Sequence, residues 1–253
     1  ENKYEIDGKP CAEIFDSKAE DFELRGDIQK ACRIPTESVL FNIQEKLDAT
    51  TKSTIDPVLN IFVKEFNRKM GYDDKKPEIA EIERYFDNKG KYEFFKEEYQ
   101  KRFGETWENG RKSILLKLQR VAEIMAEIDG IPQATAFDNI KTQIANYKID
   151  TDGFVALVKE HLDKQQPGSR FIFFVDEVGQ FIGKDVHRML SLQTIAEGLS
   201  DKTNGQSIVI VTSQMDIDAT LGNLDKQQEY DFSRIQGRFD TRISLTSANA
   251  DEV

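Results

Sequence analysis

Asp176 and Glu177 are adjacent carboxylates at the end of the apolar run Phe171-Ile172-Phe173-Phe174-Val175. The run is introduced by Pro167-Gly168-Ser169 and followed by Gly179, the pattern of a buried parallel strand covered on both faces. The carboxyl end of such a strand is where α/β sheets bind ligands. The chemistry open to the pair is metal-assisted phosphoryl transfer. Asp176 holds a magnesium ion through water, and Glu177 orients and deprotonates the attacking water. A strand that simply ends in polar residues is the competing reading, and the motif alone does not choose between them.

A second apolar run, Gln206 to Gln214, follows the turn dipeptide Asn204-Gly205 and ends in Thr212, Ser213 and Gln214. If it lies beside the acidic strand, one of these side chains contacts a γ-phosphate or positions the lytic water. Gln214 is the first choice and Ser213 the second. Downstream, Arg234, Arg238 and Arg242 recur at every fourth position before a last expected strand, Thr241 to Thr246. A guanidinium supplied by a neighbouring subunit neutralises charge developing on a transferring phosphoryl group. Arg234 and Arg238 are the candidates, acting together or with one of them in cis. Arg242 fits a strand end, and ion pairing with Asp231 and Asp240 is the plain alternative for the segment.

These groups need a scaffold. Thr36 to Ile43 reads as a first strand, after a polar region in which Asp7-Gly8-Lys9-Pro10 makes a turn. From about Thr54 to Lys164 the apolar residues recur at helical spacing instead. The stripes are Ile55, Val58, Leu59, Phe62, Val63 and Phe66, then Ile79, Ile82, Tyr85 and Phe86, then Tyr92, Phe95, Tyr99 and Phe103, and last Leu115, Leu118, Val121, Ala122 and Met125. Breaks are expected at Gly71, Lys76-Pro77, Asn88-Lys89-Gly90, Gly104 and Asp129-Gly130-Ile131-Pro132. Strand, helix and strand then alternate, with a helix expected over Asp185 to Leu199, which implies a parallel sheet. The expected organisation is an α/β core in two parts, residues 1–53 and 166–253, with an all-helical insertion at 54–165.

Composition excludes several function classes. With 46 acidic against 35 basic residues the formal net charge is −11, which argues against a dedicated DNA-binding surface and leaves DNA contact at most indirect. Lys91-Tyr92-Glu93-Phe94-Phe95-Lys96 interleaves bases with aromatics, but its acids make it an amphipathic helix rather than a base-stacking platform. No apolar run approaches the ~20 residues that span a bilayer, so cytoplasmic residence is expected. Cys11 and Cys32 are too few for a disulfide framework, and His161 and His187 have no cysteine partner for zinc. A metal-dependent nuclease built on Asp176 and Glu177 lacks a further acid or Lys at a suitable spacing.

An acid-ended strand, a polar-ended strand, an arginine segment and a final strand occur in the order found in AAA+ ATPases, and Arg234-Ile235-Gln236-Gly237-Arg238-Phe239-Asp240 resembles their arginine-finger box. Phe173 to Gly183, Val211 to Gln214 and Phe232 to Phe239 resemble the BrxC family, the large P-loop ATPases of BREX bacteriophage-exclusion systems, to which PglY is related. The similarity extends through Leu40-Phe41-Asn42-Ile43, Val63-Lys64-Glu65-Phe66-Asn67 and Ser247 to Val253. The resemblance implies a cytoplasmic ATPase using ATP and Mg2+, homo-oligomeric and working with other BREX proteins in phage defence. It implies a P-loop NTPase, AAA+-like sheet with Asp176 as Walker B metal residue, Glu177 as base, Ser213 and Gln214 as sensor groups, and Arg234 and Arg238 as fingers. The phosphate loop G-x-x-x-x-G-K-S/T is missing from the sequence, and Gly110-Arg111-Lys112-Ser113 carries an extra Arg and sits in helical periodicity. With its start at Glu1-Asn2-Lys3, the chain therefore reads as a fragment from just downstream of the Walker A strand, inactive alone. A protein-interaction module, whose helical insertion recruits other defence-complex subunits without catalysis, is the alternative.

Overall fold

The computed structural model describes residues 5–47, 56–182, 185–213, 241 and 243. Contacts group the chain into two units, Glu1–Leu59 with Thr151–Val253, and Asn60–Asp150. Gln214, Arg234, Arg238 and Arg242 lie outside the described residues, as does most of the expected strand Thr241 to Thr246.

The first unit is α/β. A short hairpin pairs β1 (Glu5–Ile6) with β2 (Lys9–Pro10) about Asp7 and Gly8, whose φ values of 52° and 75° suit a tight two-residue turn. Helices α1 (Cys11–Lys18) and α2 (Phe22–Arg33) follow, joined by hydrogen bonds from Arg25 and Gln29 to Asp16, and neither buries a residue. Next come β3 (Thr36–Asn42) and, after the second unit, α9 (Thr151–Asp163), β4 (Arg170–Asp176), α10 (Val178–Ile182), α11 (Val186–Lys202) and β5 (Ser207–Val211). The strands form one parallel sheet in the order β3-β4-β5, with the acidic strand in the middle. Helix α9, which the periodicity grouped with the helical block, belongs to this sheet unit.

Burial along β4 alternates, which corrects the expectation of a strand covered on both faces. Phe171, Phe173 and Val175 are buried, whereas Ile172 and Phe174 are half-buried. Among the described residues helix cover is seen on one face. Phe154 and His161 of α9 meet Phe173 and Phe171 edge-on, at 6.0 and 5.8 Å between ring centres. Phe174 shares the other face with its register neighbours Leu40 and Ile210, which are 75% and 39% exposed. The second expected buried strand is likewise shorter, Ser207–Val211, and of its residues only Ser207 is buried. Helix α11 is capped by Asp185, whose side chain accepts from the N–H groups of His187 and Arg188. It passes close to α9 at Gly198, where a Cβ would stand 3.1 Å from Val155 Cγ2.

The second unit is helical. It carries most of α3 (Pro57–Met70), then α4 (Pro77–Asn88), α5 (Tyr92–Phe103), α6 (Trp107–Gly110), a 3₁₀ turn (Arg111–Leu116), α7 (Leu118–Asp129) and α8 (Gln133–Ala145). Helix ends fall at the Gly and Pro positions the sequence marks: Pro77 opens α4, and Gly104 and Gly130 close α5 and α7 with left-handed φ. Phe86 and Phe95 stack at 4.2 Å, and Trp107 packs edge-on against Phe95 and Tyr99 at 4.8 and 5.2 Å. Leu115, expected on the α7 stripe, is instead in the 3₁₀ turn and 45% exposed.

One carboxylate organises this core. Glu83 of α4 is fully buried and accepts from Asp73 N at 2.5 Å, Tyr92 Oη at 2.9 Å, Trp107 Nε1 at 2.6 Å and Arg111 Nη1 at 2.8 Å. Burial, first, and the Glu83 charge, second, push the Tyr92 phenol far above its ordinary range. Burial does the same to Tyr72 and Tyr147, and less strongly to Tyr85 and Tyr99. A phenol held above its unfolded value adds stability that is complete below that value and lost as pH rises towards the folded one. We therefore expect the helical unit to hold up to the ordinary phenol value of 10.0 and to unfold above it. Phenolate absorbance should then appear together with loss of helical circular dichroism. Smooth, independent phenol titration with helix intact would contradict this.

Candidate functional site

The acids stand where β4 ends. Asp176 lies opposite Asn42 of β3, and its carbonyl accepts from Ile43 N at 3.1 Å. Asn42 is occupied locally, since its side-chain oxygen accepts from Gln44 N and Glu45 N at 3.0 and 3.2 Å, closing the turn after β3. On the other side Val175 pairs with Val211, which carries Thr212 level with Asp176. The Thr212 hydroxyl donates to Asp176 Oδ1, and Glu177 N donates to the same oxygen at 3.0 Å. Asp176 Oδ2 accepts from no described residue.

Glu177 turns the chain from strand to helix with φ at 61°, a region a non-glycine residue enters at a cost of about 1–3 kcal/mol. Helix α10 starts at the next residue, and Phe181 N donates back to Glu177 O at 3.3 Å. Arg188 of α11 is engaged at this corner. Its Nη1 donates to Phe181 O at 2.7 Å, its Nε pairs with Asp185 at 3.1 Å, and its guanidinium lies over the Phe181 ring. Ser213 follows Thr212 and is half-buried.

Of the residues the sequence singles out, the structure thus places Asp176, Glu177 and Ser213 at one end of the sheet. It also brings in Thr212, which the sequence presents as one of three polar residues without ranking it first. The available signal was register: a parallel strand in step with β4 sets its residue after Val211 beside the residue after Val175.

Among the described residues no group of three or more His, Cys, Asp or Glu side chains is arranged to hold a metal ion. That donor set does not fit a protein-only cage. Magnesium asks less of the protein, being commonly held by one or two carboxylates and by substrate phosphates with several waters retained. Asp176 Oδ2 is the oxygen able to accept from such a water.

The Gly110 decoy is structural. Gly110 is buried at the end of α6, and a Cβ there would stand 2.6 Å from Tyr99 Cε1, inside the aromatic core. Arg111 is committed to Glu83, and Lys112 Nζ donates to Asn109 Oδ1 at 2.9 Å. A cradle for phosphate needs successive free N–H groups, and here the N–H of Gly110 is spent on Thr106 O at 2.9 Å.

No protein-family model matches this chain, and no solved structure matches it.

Proposed function

We propose that the chain forms the acid-bearing, downstream part of an ATP site in a P-loop ATPase of a bacterial phage-defence (BREX) system. The observation that carries this reading is the hydrogen bond from Thr212 to Asp176, which sets the polar end of β5 directly on the acid that ends β4. Strand order supports it as well. The acidic strand is central, the polar-ended strand flanks it, and among the described residues β5 pairs only with β4. In AAA+ sheets the phosphate-loop strand lies on that outer edge of the polar-ended strand, and the helical unit in this reading is an insertion.

In this site Asp176 holds a water of Mg2+, and Glu177 removes a proton from the attacking water. Gln214, or in its place Ser213, contacts the γ-phosphate or positions the lytic water, and Arg234 or Arg238 reaches a neighbouring copy in a cytoplasmic homo-oligomer that works with other BREX proteins. Mg2+ held there would supply positive charge to offset the charge developing on the transferred phosphoryl group. Among the described residues no helix is long and apolar enough to cross a membrane.

Calorimetric titration of Mg-ATP tests the reading. This chain should bind weakly or not at all, and a chain extended upstream through the phosphate loop should bind with a micromolar constant. Lack of binding by both would return Asp176 and Glu177 to an ordinary strand end.

A second reading has its own observation. Leu115 and Leu116 are adjacent in the helical unit and 45% and 89% exposed, and in the interaction-module reading they are the apolar contact offered to another defence-complex subunit.

A further inference from the structure

Thr212 holds the acidic turn at three points. Its N–H donates to Val175 O at 2.9 Å, its carbonyl accepts from Val178 N at 3.1 Å, and its hydroxyl donates to Asp176 Oδ1. The two backbone bonds fix the residue before the acids and the residue after them. The hydroxyl reaches the first acid itself. Because Glu177 N donates to the same oxygen, Oδ1 is held by donors from two different segments. Oδ2 accepts a hydrogen bond from no described residue, so it keeps its acceptor capacity. Of these contacts, the hydroxyl is the one that a side-chain change removes alone.

We infer that Thr212 is a positioning residue whose hydroxyl fixes the Asp176 carboxylate so that Oδ2 meets a water of a divalent cation. The role rests on the nucleotide-site reading above and adds a mechanical link to it. The chain leaves β5 through Thr212 and Ser213, so a displacement of that exit breaks the bond to Asp176 and releases the carboxylate. Outer-sphere partners of this kind are worth about 10–100-fold in metal affinity.

The test uses this chain labelled for NMR, with Mn2+ as the probe. Three-bond couplings report the χ1 rotamer of Asp176, and Mn2+ broadening of the Glu177 and Val178 amides reports the cation. In the unmodified chain we expect one Asp176 rotamer, and broadening at these amides that Asp176→Asn removes. Thr212→Val should average the rotamer and raise the Mn2+ needed for equal broadening about tenfold. Thr212→Ser, which keeps the hydroxyl, should restore both. An unchanged Val178 amide shift in Thr212→Val would confirm that the backbone bonds persist. Thr212→Val with the original couplings and the original Mn2+ response overturns the positioning role. Broadening that Asp176→Asn leaves unchanged overturns the metal-site reading itself, whatever the couplings show.

Discussion

Replacing Glu83 by Ala should destabilise the helical unit by about 3–5 kcal/mol, a large part of the stability of an ordinary domain. The substitution strands four donors at once. Tyr92, Trp107 and Arg111 aim side-chain groups at one oxygen of Glu83, and Asp73 N aims at the other. Each buried donor left without an acceptor costs about 1–3 kcal/mol, and the Arg111 charge loses its counter-ion. Glu83→Gln keeps the volume and still offers an oxygen, so its cost should be smaller. By contrast, Asp27→Ala removes the Lys30 pair, in which both side chains are more than two-thirds exposed, and should change little. The measurement is denaturant unfolding followed by tryptophan fluorescence. Trp107 is the single tryptophan of the chain, and its indole donates to Glu83, so the same probe reads the contact and the unfolding. Equal midpoints for the Ala variant and the unmodified chain would show that Glu83 is a bystander.

Glu83 also shows where the sequence stops being informative. Within Pro77–Asn88 it is one acid among several, and a lone Glu on a charged helix reads as solvated. Its partners Trp107 and Arg111 lie 24 and 28 residues away, so no local pattern announces the hub. Helix boundaries in the same unit were legible because Gly and Pro act locally, through φ and the missing N–H. The three strands were legible as apolar runs, but a continuous run carries no label for its faces. The one-sided cover of β4 by α9 could be read only once Phe154 and His161 were placed against Phe173 and Phe171. Helices α1 and α2 were missed for a related reason. They bury nothing, leaving Phe15 and Phe22 at 69% and 88% exposure, and their few apolar residues stand among many charged ones, so the segment reads as polar. At the candidate site the sequence ranks Gln214 first, a residue outside the described ones, and strand register puts Thr212 on Asp176.

On the proposed nucleotide-site reading, Glu177→Gln in a chain that includes the phosphate loop should lower ATP hydrolysis about 100-fold or more while leaving Mg-ATP binding in place, because the amide keeps the shape of the side chain and loses its basicity. Stability separates this loss from damage to the fold. Glu177 sits at a φ of 61°, where glycine is favoured and a glutamate is held at a cost. Glu177→Gly should therefore raise the melting temperature by about 2–4 °C, corresponding to about 1 kcal/mol, and abolish hydrolysis together with the carboxylate. Glu177→Gln keeps the same backbone conformation, so its melting temperature should stay with the unmodified protein. The opposing movements of stability and turnover in the Gly variant are the signature of a strained catalytic base, as in other sites where activity is maintained against local preference. Turnover unchanged in both variants would remove Glu177 from the chemistry and favour the interaction reading, in which partner capture through the helical unit survives either substitution.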